Sequence, residues 1–165
     1  MSLMMRVATV SLTVLFLIVP VAAAPPTAPE PDQPADDAQA KAQKVKDALD
    51  ACKADAAKVK DKFDGLGDTV TGKTVRGVLG GIMGKWSNDV DTLQRTTMEW
   101  GERPKSRTAI SQLVSKVDAL KSSIDALPKN KPVSVKRLKS LQLQQAQARQ
   151  KQDEVSGVLE PIMHR

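Results

Sequence analysis

Between residues 37 and 160 apolar side chains return at steps of three and four, the spacing of one face of a helix. In the first such segment Ala38, Ala42, Val45, Leu49, Cys52, Ala56, Val59 and Phe63 alternate gaps of four and three. This is a seam of period about 3.5, with Lys and Asp filling the other faces. Gly65 and Gly67 end it, because glycine takes the conformations a helix stop needs, and Asp68 or Thr69 is the expected cap of the next helix. A second seam runs through Val75, Leu79, Ile82, Trp86, Val90, Leu93, Thr97 and Trp100, with one stutter between Trp86 and Val90. WGERPKS then reads as a turn. The third seam, Ile110, Leu113, Val117, Leu120, Ile124 and Leu127, is the most regular, with Ser106 or Thr108 as its cap and Pro128 as its stop. The fourth begins near Ser134 and passes through Leu138, Leu141, Gln145, Ala148, Gln152, Val155 and Leu159, with Gly157 and Pro161 marking its end.

Four helical segments joined by short turns predict antiparallel neighbours. The expected fold is therefore all-α: a four-helix, coiled-coil-like antiparallel bundle or two packed helical hairpins. No stretch alternates with period two for long enough to argue for a sheet.

The chain before residue 37 has a different character. MSLMMRVATVSLTVLFLIVPVAAAPP carries Arg6, an apolar run from Val7 to Val19, then Pro20 and small residues, the layout of a secretory signal. Cleavage after Ala23 fits best, with Val21 and Ala23 at the two recognition positions. A membrane anchor over residues 7–24 is the competing reading, disfavoured by the proline and the short run. Five prolines between Pro25 and Pro34 then make an extended spacer. The organisation expected is a signal peptide over 1–23, a Pro-rich spacer over 24–36, a helical bundle over 37–160 and a frayed terminus over 161–165. The expected location is secreted or periplasmic.

Charge adds one asymmetry. Residues 105–151 carry 11 basic and 2 acidic side chains, so this segment holds the whole cationic surplus of a chain whose net charge is +6. Lys136, Arg137, Lys139, Arg149 and Lys151 are the candidate contacts for an anionic partner: a lipid or cell-envelope surface, an acidic protein or a glycan. Nucleic acid is disfavoured, because the same segment has no aromatic side chain for base stacking.

Candidate chemistry is sparse. GDTVTGKT, residues 67–74, matches G-x-x-x-x-G-K-T letter for letter, yet the charged end of a helix precedes it where a phosphate-binding loop needs a buried strand. Nucleotide binding is therefore not expected. One histidine, His164, and one cysteine, Cys52, make neither a metal site nor a nucleophile pair. Cys52 lies on the first seam, where a buried inert thiol is favoured over an intermolecular disulfide within a homo-oligomer. Neither catalysis nor a cofactor is expected.

VRGVLGGIMGKW holds two overlapping G-x-x-x-G spacings, Gly77 with Gly81 and Gly80 with Gly84. Val78, Leu79, Ile82, Met83 and Trp86 are the candidate contact with a lipid or other hydrophobic surface. The simpler alternative, which we favour, has the glycines admitting a neighbouring helix and these apolar residues in the core. The function expected is a secreted, non-enzymatic helical protein binding lipid, cell-envelope or other hydrophobic or anionic surfaces. The alternatives are a protein-docking effector module acting through helices 3 and 4, and a structural coiled-coil oligomer.

Overall fold

The computed structural model describes residues 35–101 and 104–163. The segment expected to be a signal, most of the proline-rich stretch and His164 lie outside the described residues. Four helices follow in order: α1 (Ala35–Asp64), α2 (Gly72–Trp100), α3 (Pro104–Asp125) and α4 (Val135–Met163). Each packs on its neighbour in sequence, and α1 also meets α4, so the helices close a ring around one core. No strand occurs among the described residues, only an isolated bridge between Thr71 and Pro132. Hydrogen bonds from Ser87 to Asp118 (3.0 Å) and from Gln94 to Ser111 (3.4 Å) fix α2 antiparallel to α3.

The seams read from the sequence are the core. All the seam residues of α3 and α4 are buried, as are those of α1 from Val45 to Phe63. Of the α2 seam only Ile82 and Trp100 are partly exposed, and both pack against the core. Trp86 is the largest side chain there at 0% exposure, with Leu79, Met83 and Leu93 equally buried. Burying a side chain of this size contributes roughly 1.5–3 kcal/mol.

Helix ends differ from the expectation in three places. The cap of α2 is Thr71, whose hydroxyl accepts from the Thr74 N–H at 3.3 Å, because the segment from Asp68 to Val70 still belongs to the turn. α3 starts at Pro104, ahead of Ser106, which is buried rather than capping. α4 runs through Pro161 to Met163. Ser134 does begin α4, accepting from the Arg137 N–H at 3.3 Å. At the other end of α2, Gly101 has φ 127°, a conformation that only glycine takes without strain.

Candidate functional site

The G-x-x-x-x-G-K-T stretch opens α2, and each of its helix-starting N–H groups is engaged within the protein. Gly72 N–H donates to the Lys131 carbonyl (3.2 Å), Lys73 N–H to the Lys129 carbonyl (2.9 Å) and Val75 N–H to the Thr71 carbonyl (3.0 Å). In a phosphate loop these donors point at the anion. Here those of Gly72 and Lys73 hold the α3–α4 turn, and Val133 N–H returns a bond of 2.8 Å to the Val70 carbonyl. Gly72 is required by that contact, since a Cβ would lie 2.2 Å from the Pro128 carbonyl oxygen. Arg76 finishes the junction by donating to the Asp125 carbonyl at the end of α3, at 3.3 Å.

The other glycines of α2 have no such role. A Cβ at Gly77, Gly80, Gly81 or Gly84 would meet nothing within 4 Å. These positions lie on the helix face turned away from Val75, Leu79 and Trp86, so they admit no neighbouring helix within the described residues. That corrects the packing role expected of them. The apolar residues interleaved with them face inward: Leu79, Met83 and Trp86 are fully buried, and Val78 and Ile82 are partly buried against the core. The residues of the candidate hydrophobic contact therefore lie in the core or packed against it.

Cys52 is 0% exposed on the same core seam. Burial, reinforced by the nearby carboxylates of Asp89 and Asp55, pushes its thiol up to about 12. A thiol so buried carries little thiolate at neutral pH. Asp55, one turn further along α1, is 1% exposed. Lys85 of α2 reaches it at 2.8 Å and Asp89 at 2.7 Å, and Lys58 stands 3.5 Å from the other Asp55 oxygen. Burial alone would raise the Asp55 carboxyl; the hydrogen bonds from Lys85 and the neighbouring groups outweigh it and hold the carboxyl below its ordinary range. This cluster ties α1 to α2. Among the described residues no group of three His, Cys, Asp or Glu side chains could hold a metal ion.

The exposed chemistry gathers on α3 and α4. A shallow, open depression of about 560 Å³ is lined by Arg107, Thr108, Ser111, Gln112, Ser115 and Lys116 of α3 together with Lys151 of α4. Lys116 donates to the Gln147 side chain at 3.5 Å, linking the two helices. On α4, Lys136, Lys139, Leu143, Gln147 and Lys151 follow at three- and four-residue steps, hence along one outward face. Leu143, 61% exposed, is the most exposed large apolar residue described.

The five basic residues singled out in the sequence thus do not form one patch. Lys136, Lys139 and Lys151 share the Leu143 face. Arg137 leans back to the Ser123 carbonyl (3.4 Å), and Arg149 sits on another side of α4. Sequence reasoning passed over Lys105, Arg107 and Lys116, although their place in the basic segment was visible. What it lacked was the pairing of the outer side of α3 with that of α4.

Among the described residues no helix is long and apolar enough to cross a membrane. No protein-family model, no curated protein and no solved structure matches the chain. The described residues form an all-helical bundle whose α3–α4 side carries exposed lysines.

Proposed function

We propose that the protein is an exported, non-enzymatic binding module that docks on an anionic lipid surface through the outer face of α3 and α4. The observation that carries this reading is the row Lys136, Lys139, Leu143 and Lys151 beside Lys116 and Arg107. Cations flanking an exposed leucine suit a peripheral membrane contact, in which charge holds the protein at the headgroups and the apolar side chain enters the interface. Lys151 pairs with Glu154, and Lys116 leans on Gln147. Glu154 and Gln147 are exposed surface groups that a headgroup phosphate can replace.

An acidic protein partner would use the same cations but gives Leu143 no particular role. Co-flotation with vesicles of phosphatidylcholine, with and without phosphatidylglycerol, tests the reading. Recruitment should require the anionic lipid and fall at least tenfold when Lys136, Lys139 and Lys151 are replaced by Glu.

A further inference from the structure

Two observations, independent of the cationic face, concern how the bundle is held shut. Its ring closes where α1 meets α4, and this is the thinnest of the four helix contacts. One polar link across it is Lys53 to Glu160 at 2.5 Å, between side chains that are 37% and 47% exposed. Salt bridges exposed to this degree contribute little.

Second, α4 brings amides into the core. Gln145 and Gln152 are 6% and 2% exposed, and the Gln145 Nε2 and both polar atoms of Gln152 have no hydrogen-bond partner among the described residues. Trp86 Nε1 and Thr97 Oγ1 of α2 are in the same position. Buried polar groups of this kind favour any state that returns them to water.

Both features make the α1–α4 seam the place where the ring is most easily parted.

We infer that the bundle parts along the α1–α4 seam at an anionic lipid surface and lays the apolar seams of α1, α2 and α3 against the acyl chains, while α4 keeps its Lys136, Lys139 and Leu143 face at the headgroups. Each helix keeps its own backbone hydrogen bonds in that transition, so the loss is confined to core packing, and the acyl chains replace it. The Gln145 and Gln152 amides of α4, released from the core, meet water and headgroups on the polar side of the interface. The α2–α3 side stays joined through Ser87–Asp118 and Gln94–Ser111, and α1 stays joined to α2 through Asp55–Lys85. α4 is then the helix that swings. The inference rests on docking at lipid, and the experiment separates the two.

The probe is Trp86, buried at 0% in the closed form. In a Trp100→Phe variant it is the only indole, and vesicles containing brominated acyl chains quench it only if it reaches the hydrocarbon. A second variant adds Lys53→Cys and Glu160→Cys on a Cys52→Ala background, with the seam linked by a disulfide-containing bis-maleimide that a reductant cleaves. With anionic vesicles we expect Trp86 emission to fall at least twofold in the unlinked protein, to hold steady in the linked one, and to fall once the linker is cleaved. Should Trp100→Phe not fold, the same linked-versus-cleaved comparison is made with both tryptophans present. Protein that floats with the vesicles while Trp86 stays unquenched overturns the opening and leaves docking intact. Equal quenching with the seam linked and cleaved overturns it as well. Protein that does not float overturns both.

Discussion

The Pro128 carbonyl oxygen occupies the space in which a side chain on Gly72 would begin, 2.2 Å from an ideal Cβ. That contact explains the glycine in a stretch whose letters suggest a phosphate loop. Gly72→Ala must push the α3–α4 turn away and disturb the bonds from Gly72 and Lys73 to Lys131 and Lys129. A loss of about 2 kcal/mol or more is expected. Urea unfolding checks it: an unchanged midpoint would mean that the turn yields freely.

Glycines one and two turns later should behave in the opposite way. Gly77→Ala and Gly81→Ala each add a methyl into open space on an exposed helix face. Each should stabilise the protein by up to about 1 kcal/mol. The two effects should sum, since neither position touches the core, and thermal unfolding of the single and double variants measures this.

Acid should act first on the junction of α1 and α2. Asp55 has a lowered pKa in the folded state, so the native protein binds fewer protons than the unfolded chain. Its contribution is present above the unfolded value of about 3.9 and is lost as pH falls from there through the folded value. Lys85, held charged well above its ordinary range mainly by its hydrogen bonds to Asp55 and Asp89, does not limit the pair at neutral pH. Replacing Lys85 by Met should therefore destabilise at pH 7, and the gap from wild type should narrow below pH 4. A gap independent of pH would show that the pair contributes nothing beyond packing.

Gln152 offers a change in the core itself. Its amide is 2% exposed and unpartnered within the protein, so Gln152→Leu replaces a desolvated polar group by an apolar one of similar size. A gain of roughly 1–3 kcal/mol is expected. If opening uses this amide, the same variant should show weaker lipid quenching of Trp86 while still floating with vesicles.

Much of this molecule could be read from residue spacing. The steps from Val45 to Phe63 and from Ile110 to Leu127 are the buried positions, because a helix with one apolar stripe has only one way to bury it. Even Gln145 and Gln152 obey the spacing, and they are buried despite their chemistry. Spacing alone could not show which side of α2 its glycines occupy relative to a neighbour, since that depends on where α1 and α3 sit around it. Nor could it show that Asp55, placed among solvated lysines in the sequence, turns inward to meet Lys85. The cationic face was half legible: charge counting found the segment, but helix pairing decides which of its lysines share a surface.

The most direct measurement is co-flotation of the protein with vesicles of phosphatidylcholine and phosphatidylglycerol as salt is raised. Docking through Lys116, Lys136, Lys139 and Lys151 predicts recruitment at low salt that weakens steadily as the ionic screening length shrinks from about 30 Å at 0.01 M to about 8 Å at 0.15 M. It also predicts little recruitment to phosphatidylcholine alone, and loss of recruitment on charge reversal of the α4 lysines. Failure to float with anionic vesicles at the lowest salt, or equal recruitment to neutral ones, would contradict it.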